Sequence, residues 1–296
     1  MTTDETRALA VARGLGLDVQ QAETLPGVVN VVVRVSGDRA DAVVRFAADD
    51  SRPNEFPLEE WCYGAARSAG IPSPAVLGSG VHEGVEFLVL EYVQATSAEP
   101  IEHWRWLGRY ASLIAQLPIG DDAPEELFSR FGRDLPRAWA EHVRYNIAAL
   151  DEHDDLLALG VYPPSEQGRL TGLLASLDRA DFEFGLAHGD LAPRNLIPAT
   201  GAPVLIDWGA ATTGPAPWTD VLTVYQWAVD AGTVPLAAFR TFAHAAGIDP
   251  VRAAPTLDAL SALRHLDLAR WAVARRPDLV PRYVQAARDG LARVLG

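Results

Sequence analysis

The stretch LAHGDLAPRNLI runs from Leu186 to Ile197, and VLIDWG follows it from Val204 to Gly209. Each stretch places polar residues at a turn between apolar flanks. Asp190 follows His-Gly in the first turn, Asn195 lies five residues further on, and Asp207 lies twelve residues after that. Alone, each of these residues would more often be a turn or cap residue after a strand. Together, two carboxylates and an amide so close in the chain form a set of side chains that could support chemistry.

The chemistry of these three side chains suits phosphoryl transfer. Carboxylate and amide oxygens are hard ligands for Mg²⁺, which keeps several waters and is completed by substrate phosphates. A further carboxylate beside such a site can accept a proton from an attacking hydroxyl group. One carboxylate that orients the nucleophile, with an Asn and an Asp that hold the metal, is the minimal set for this reaction.

Composition narrows the classes of partner. The chain has 296 residues and a formal net charge of −14, which disfavours nucleic acid because phosphate backbones attract clustered Lys and Arg. The acidity favours a cationic small-molecule substrate through long-range attraction, or else serves solubility alone.

The N-terminus lacks a signal-peptide pattern and no run of about 18 apolar residues occurs, so no membrane partner is expected. One cysteine, Cys62, suits a reducing compartment, and a cytoplasmic location is expected.

All 25 basic residues are Arg, because the chain contains no Lys. This composition excludes pyridoxal Schiff-base chemistry, lysine nucleophiles and the Walker A loop, each of which requires Lys. Any clamp on a phosphate group must therefore be built from Arg.

The N-terminal third has the pattern of a small β-rich domain. Apolar, β-branched runs alternate with turn-forming residues, and Pro57 and Gly70 are start and stop signals for one helix. The predicted elements, in chain order, are a short strand over 23–27, strands over 28–35 and 42–46, a helix over 56–70, and strands over 72–80 and 85–93.

The remainder of the chain is predicted to be mostly helical, apart from the two quoted stretches. Helical patterns recur over 101–117, 137–158, 165–180, 217–231, 234–247, 254–276 and 280–295. The densest acidic run, DEHDD over 151–155, is expected to be a solvated helix surface. A domain boundary is expected in the segment SAEP that begins at Ser97, which separates residues 1–95 from residues 96–296.

HGDLAPRN followed by IDWG resembles the catalytic and metal-binding loops of the aminoglycoside phosphotransferase and choline kinase-like family. Other family motifs follow in order: GVVNVVVRV resembles the nucleotide loop and second strand, AVVRF the third strand, and LEEWCYGAARSAGIPSP the helix with its Glu. GPAPWTDV resembles the segment whose Asp braces the catalytic loop. The resemblance covers roughly residues 20–225. It implies an α+β, two-lobed, protein-kinase-like fold, with a β-rich nucleotide-binding N-lobe over 1–95 and a mostly helical C-lobe over 96–296.

The resemblance assigns roles to residues of the two quoted stretches and the segment after them. Asp190 would orient or deprotonate the substrate hydroxyl, while Asn195 and Asp207 would bind Mg²⁺. His188 and Asp220 would brace the catalytic loop rather than take part in the chemistry.

The resemblance also assigns roles in the nucleotide site. Arg45 would contact the α- and β-phosphates of ATP or GTP, and Glu59 would pair with Arg45. Asn30 stands at the position of the usual Asn of the nucleotide loop. Backbone groups from Glu91 to Val93 would meet the adenine.

The sequence departs from the family pattern at several points. The nucleotide loop has a single glycine, Gly27, where further glycines would let backbone amides approach phosphate. Arg45 replaces the commoner Lys, and Trp208 stands where a protein kinase has Phe. Glu60 is adjacent to Glu59, which is preferred for its distance from Gly70. No A-P-E segment occurs, which argues against a protein kinase.

The sequence therefore predicts a small-molecule kinase that transfers the γ-phosphoryl group of ATP or GTP to a hydroxyl group. An aminoglycoside-type antibiotic is the favoured acceptor, which would make the protein an antibiotic-resistance enzyme. The alternatives are a macrolide kinase and a metabolic kinase for choline, a sugar or an amino alcohol. An alternative of another class is a nucleotide-binding regulatory module with little catalysis. The single-glycine loop favours that module, whereas the intact Asp190, Asn195 and Asp207 disfavour it.

Overall fold

A computed structural model describes residues 1–27, 30–47, 54–96 and 102–296 of the chain. The chain forms two compact units. Unit 1 comprises Met1–His103, Leu117–Leu127 and Ala192–Ala211, and unit 2 comprises Trp104–Gln116, Phe128–Leu191 and Thr212–Gly296. The expected boundary segment, Ser97–Pro100, lies outside the described residues, so a division between residues 95 and 96 stays a prediction.

The N-terminal elements follow the predicted order, with one helix added before them. They are α1 (Thr3–Gly14), β1 (Gln21–Leu25), β2 (Val31–Ser36), β3 (Asp41–Phe46), α2 (Phe56–Ser68), β4 (Val76–His82) and β5 (Val85–Glu91). The five strands form one antiparallel sheet in the order β1-β2-β3-β5-β4. The first strand ends earlier than expected, because Pro26 has no N–H to continue the ladder. Val28 and Val29, predicted to begin the second strand, lie outside the described residues.

Alternation along β2 and β3 gives the sheet of unit 1 a buried face. Val33 and Val35 of β2 are buried, as are Val44 and Phe46 of β3, and helix α1 packs its apolar residues against them. Burying each large apolar side chain stabilises the fold by about 1.5–3 kcal/mol. Arg45 lies between the last two of these residues, so its side chain leaves the opposite face of the sheet.

Helix α2 has the start and stop signals that the sequence predicted. Pro57 lies in its first turn, and Gly70 follows its end with a φ of 78°. Its buried residues include Glu59, Tyr63 and Ala66, which recur at helical spacing. The helix packs against β4 and β5, so one face of α2 is closed off from solvent.

The C-terminal part is mostly helical, as predicted. Its elements are α3 (His103–Ile114), α4 (Leu135–Ala148), α5 (Asp155–Ala158), α6 (Gln167–Leu177), β6 (Phe184–Ala187), β7 (Leu196–Ile197), β8 (Val204–Leu205), β9 (Thr212–Pro215), α7 (Trp218–Tyr225), α8 (Leu236–Ala245), α9 (Ala254–Arg275) and α10 (Val280–Leu295). Within unit 2, α9 packs against α4, α5, α6, α7 and α10. No helix in the described ranges is long and apolar enough to cross a membrane.

The prediction of one helix over 137–158 is wrong. Helix α4 ends at Ala148, and the acidic run lies mostly in the turn before α5. Asp154 of this run is buried rather than solvated, and it accepts hydrogen bonds from the Tyr162 hydroxyl at 2.6 Å and from Arg270 Nη2 at 2.7 Å. A buried carboxylate is tolerated when it has such partners. The local charge pattern could not indicate this burial, because the guanidinium partner, Arg270, lies 116 residues away in the chain.

Gly108 of α3 offers a test of packing within unit 2. A Cβ at this position would lie 2.2 Å from the carbonyl oxygen of Phe242 and 2.8 Å from the Cβ of Ala245, both in α8. We expect Gly108→Ala to lower the free energy of unfolding by about 1–3 kcal/mol, because α3 and α8 must move apart. Gly172→Ala in α6 is the matched control, since no atom lies within 4 Å of its added Cβ. The control should stabilise unit 2 by up to about 1 kcal/mol. Equal effects in urea unfolding would contradict this packing.

Candidate active site

A short hairpin in unit 1 brings Asn195 and Asp207 to the same end of two paired strands. Leu196 pairs with Leu205 in the antiparallel ladder between β7 and β8. Asn195 immediately precedes β7, and its carbonyl oxygen accepts a hydrogen bond from the Ile206 N–H at 3.0 Å. Asp207 is the next residue. The hairpin therefore places Asn195 and Asp207, an amide residue and a carboxylate residue, at one end of its two strands.

The backbone of Asp207 has a left-handed conformation, with a φ of 69°. Its N–H donates a hydrogen bond of 3.0 Å to the hydroxyl oxygen of Tyr63, a fully buried residue of α2. Its carboxylate is 48% exposed, so an incoming ligand can reach it. The main chain of Asp207 is thus held from inside unit 1 while its side chain faces outward.

Arg45 connects β3, α2 and Asp207 within unit 1. Its Nη1 donates a short hydrogen bond to Oε2 of Glu59, whose side chain is completely buried. Its Nη2 lies 3.6 Å from Oδ1 of Asp207. Glu60 points elsewhere, because its carboxylate accepts a hydrogen bond of 2.5 Å from the Ser79 hydroxyl. The structure therefore pairs Arg45 with Glu59, the residue that the sequence favoured over Glu60.

Burial sets the electrostatics of this pair. Burial raises the pKa of Glu59 to about 7, and Arg45 opposes that rise. Burial also disfavours the charge of Arg45, but Glu59 and Asp207 keep its pKa above the ordinary value. Because Arg stays protonated, a permanent positive charge lies beside the Asp207 carboxylate. Such a charge can contact phosphate oxygens.

The turn that carries Asp190 belongs to unit 2 and is held by Asp220. Strand β6, which precedes the turn, pairs with β9. Gly189 has a φ of 81°, which favours glycine at this position. The fully buried carboxylate of Asp220 accepts hydrogen bonds from the N–H of His188 at 3.1 Å and from the N–H of Gly189 at 2.8 Å. The Asp190 N–H lies 3.4 Å from Nδ1 of His188, within hydrogen-bond distance.

The surroundings of Asp220 have opposing effects on the pKa of its carboxyl group. Burial raises its pKa to about 6, while the two backbone N–H groups and Arg264 lower it. Burial lowers the pKa of Arg264 in turn, and Arg264 Nη1 donates a hydrogen bond of 2.8 Å to the Thr223 hydroxyl. Asp220 therefore shapes the Asp190 turn through main-chain contacts, with a guanidinium nearby in the same unit.

The segment predicted to meet adenine begins at Glu91, the last residue of β5. The Glu91 N–H donates to the Ala75 carbonyl oxygen at 2.8 Å, and the Ala75 N–H donates to the Glu91 carboxylate at 3.2 Å. The N–H of Tyr92 donates to the carbonyl oxygen of Asp41 at 3.1 Å. Val93 is half-buried. The amides of Glu91 and Tyr92 are thus used within unit 1, and the adenine contacts of Glu91 and Val93 stay predictions.

The nucleotide loop is only partly described. Asn30 immediately precedes β2, whereas Val28 and Val29 lie outside the described residues. The role of Asn30 stays a prediction.

Two supporting residues were missed at the sequence level. Tyr63 lies four residues after Glu59 on the same face of α2, and that spacing was the only available signal. Glu55 was missed because it precedes the helix and belongs to no recognisable sequence motif. A Cβ on Gly209 would lie 2.5 Å from its Oε2, so the Glu55 carboxylate lies close to the loop that follows Asp207.

The model of the phosphotransferase enzyme family matches residues 23–294, nearly the whole chain. None of the curated proteins compared with the chain matches it.

Several solved structures share the fold over almost their entire length. Spectinomycin phosphotransferase APH(9)-Ia, in complex with ADP and spectinomycin, is 12% identical, with a TM-score of 0.55 and 97% of each chain covered. A thermostable mutant of aminoglycoside phosphotransferase APH(4)-Ia, in a ternary complex with ADP and hygromycin B, is 18% identical, with a TM-score of 0.60 and 99% of each chain covered. The streptomycin–ATP complex of APH(2")-IIa is 14% identical, with a TM-score of 0.61, covering 100% of this chain and 97% of that one. These similarities confirm the α+β, kinase-like fold.

Breaking the buried ion pair tests its energetic role in unit 1. We expect Glu59→Ala to lower the free energy of unfolding by about 3–5 kcal/mol, because Arg45 would be left buried without its carboxylate. Glu60→Ala is the neighbouring control and should change it by no more than about 1 kcal/mol, since Glu60 contributes an exposed hydrogen bond. Chemical denaturation followed by circular dichroism measures both. Similar losses in the two variants would show that the pair does not stabilise the fold.

Proposed function

The chain belongs to the phosphotransferase enzyme family and is a kinase that acts on hydroxyl groups; on that premise we propose that its acceptor is an aminoglycoside-type antibiotic. One observation carries the proposal of an active kinase. The structure holds Asp190 and Asp207 at turns whose main chains are fixed by buried side chains, Asp220 and Tyr63. Two fixed turns that each carry an acidic residue support an active kinase over a protein that only binds nucleotide.

Asp190 is proposed to accept the proton of the acceptor hydroxyl as the oxygen attacks the γ-phosphorus of ATP. The P–O bond to the departing ADP breaks as the new P–O bond forms. Phosphoryl transfer needs little covalent help, so positioning and charge neutralisation supply most of the rate acceleration. The hydrogen bonds from His188 and Gly189 to Asp220 fix the turn before ATP or the acceptor binds.

Arg45 is proposed to bind the phosphates of ATP. Its guanidinium carries a permanent charge and is held by the buried Glu59 carboxylate. That pairing leaves Arg45 Nη2 on the side of Asp207. Planar guanidinium groups bind phosphate oxygens in a fixed geometry, so Arg45 would restrict the orientation of the phosphates.

Asn195 and Asp207 are proposed to hold Mg²⁺ when ATP binds. Their amide and carboxylate oxygens are the ligands that Mg²⁺ prefers, and one or two protein ligands are sufficient where phosphates complete the shell. The half-exposed carboxylate of Asp207 fits that arrangement. Bound Mg²⁺ would neutralise charge that develops on the phosphates. This chain contributes the β7–β8 hairpin, which brings the two residues to one end of its strands.

Charge supports a cationic acceptor. The formal net charge of −14 creates a field that attracts polycations and raises their local concentration. The spectinomycin, hygromycin B and streptomycin complexes among the solved structures show that the fold accommodates aminocyclitol and aminoglycoside ligands in other proteins. The same chemistry would also serve choline, sugars, amino alcohols or macrolides, and a nucleotide-binding regulatory module is the alternative of another class.

Release of nucleoside diphosphate from Mg-ATP and Mg-GTP tests the proposed function. The acceptors should include aminoglycosides, macrolides, choline, ethanolamine and simple sugars. We expect strong stimulation by an aminoglycoside and phosphate attached to a hydroxyl oxygen, identified by mass spectrometry. Stimulation by another class alone would replace the proposed acceptor. Nucleotide binding without turnover for any acceptor, and without slow hydrolysis, would favour the regulatory module.

Asp190→Ala separates chemistry from nucleotide binding. We expect kcat to fall by about 10²–10⁴-fold, because the acceptor hydroxyl loses its proton acceptor. The affinity for Mg-ADP should stay within about twofold, because Asp190 is assigned to the acceptor alone. Asp181→Ala, at an exposed position of the same unit, is the control and should retain full activity. Retained turnover in Asp190→Ala would move the proton-accepting role to another residue.

Asp207→Ala tests the metal assignment. We expect Mg²⁺ to strengthen ADP binding to the unaltered protein but not to this variant, because the carboxylate ligand is missing. Asp122→Ala, whose carboxylate accepts a hydrogen bond from the Trp61 indole, is the control within unit 1. Titration calorimetry with and without Mg²⁺ measures the effect. Equal Mg²⁺ dependence in both variants would contradict the assignment of Asp207.

A further inference from the structure

We propose that Tyr63 is a positioning residue that holds the metal-binding Asp207 in its left-handed conformation. This inference rests on the proposed function, since it concerns the affinity for Mg²⁺ and nucleotide. The one contact that carries it is the 3.0 Å hydrogen bond from the Asp207 N–H to the hydroxyl oxygen of Tyr63. The two residues lie 144 positions apart in the chain, and both belong to unit 1.

The conformation of Asp207 needs support from its surroundings. A side chain at positive φ meets steric repulsion from the following carbonyl oxygen, so residues other than glycine adopt this conformation in only a few per cent of cases. Among the non-glycine residues that the structure describes, Glu83 and Asp207 have positive φ values. Glu83 lies in the turn between β4 and β5, where the hairpin demands such a conformation. Asp207 follows β8 and does not lie in a hairpin turn, so its conformation depends on contacts such as the Tyr63 bond.

Tyr63 is well suited to hold that conformation. Its side chain is completely buried in α2, so its ring has little freedom to move. A neutral phenolic oxygen can accept the hydrogen bond from the Asp207 N–H, whereas a phenylalanine ring cannot.

Helix α2 therefore influences Asp207 in two ways, through Arg45 and through Tyr63. Glu59 and Tyr63 lie four residues apart, so they occupy one face of the helix. Glu59 holds Arg45, which lies near the Asp207 carboxylate, and Tyr63 holds the Asp207 N–H. The first contact influences the side chain and the second determines the backbone from which that side chain extends. Loss of the Tyr63 contact should let the Asp207 backbone change conformation, so that its carboxylate moves away from the position in which it would bind Mg²⁺.

Tyr63→Phe tests this role because it removes one oxygen and keeps the ring. We expect the affinity for Mg-ADP to fall by about tenfold and the Mg²⁺ concentration for half-maximal turnover to rise by a similar factor. The affinity for ADP without Mg²⁺ should change by less than about twofold, because the phosphate contact of Arg45 is retained. A roughly tenfold higher Mg²⁺ concentration should restore nucleotide affinity by mass action.

Tyr162→Phe is the matched control. It removes a hydroxyl that donates a 2.6 Å hydrogen bond to the buried Asp154 in unit 2. Both variants should lose thermal stability, but only Tyr63→Phe should change the Mg²⁺ dependence. Unchanged Mg²⁺ dependence in Tyr63→Phe, with a stability loss like that of the control, would overturn the inference and leave Tyr63 a structural residue.

Asp207→Ala separates this outcome from failure of the proposed function. If Mg²⁺ strengthens ADP binding to the unaltered protein but not to Asp207→Ala, the metal assignment stands and Tyr63→Phe decides the inference alone. If Mg²⁺ has no effect on ADP binding to the unaltered protein, the metal assignment fails and the role of Tyr63 fails with it. Circular dichroism confirms that each variant is folded at the temperature of the titrations.

Discussion

The buried ion pair between Arg45 and Glu59 is the interaction on which the organisation of unit 1 depends. A carboxylate with no exposed surface loses several kcal/mol of hydration, and a partner of opposite charge must compensate for that loss. Arg45 is that partner, and its second terminal nitrogen lies 3.6 Å from Asp207. The central strand β3, helix α2 and the Asp207 loop are therefore connected through one guanidinium. A change in the position of any one of these three elements should therefore alter the positions of the other two.

Unit 2 uses a buried carboxylate in a related way. Asp220 accepts hydrogen bonds from two consecutive backbone N–H groups ahead of Asp190, whereas Tyr63 accepts one from Asp207 itself. In both units a side chain from a helix holds the main chain of a turn that carries an acidic residue. Groups that are ordered before the substrate binds need no reorganisation during the reaction, which is where enzymes gain most electrostatic stabilisation. The same fixed turns would serve any small hydroxyl acceptor, so they leave specificity to other parts of the chain.

Local patterns predicted much of this architecture. Alternating apolar residues in β2 and β3 predicted the sheet, and Pro57 and Gly70 predicted α2. The choice between Glu59 and Glu60 was harder, because adjacent helical residues differ by about 100° in direction and only the position of Arg45 decides between them. The contacts of Tyr63 with Asp207 and of Asp154 with Arg270 join residues more than 100 positions apart. No local pattern reports such contacts, since they depend on how the elements pack. The acceptor likewise corresponds to no motif in the helices of unit 2.

The affinity of Glu59→Gln for Mg-ADP tests the central claim most directly, with Glu60→Gln as its control. Titration calorimetry should be performed at a temperature where circular dichroism shows both variants to be folded. The Arg45–Glu59 pair organises the nucleotide site in this account, so Glu59→Gln should bind Mg-ADP at least about tenfold more weakly, or ~1.4 kcal/mol. Glu60→Gln should bind as the unaltered protein does. Equal affinities for both variants would contradict the account, because the buried pair would then stabilise the fold without shaping the site.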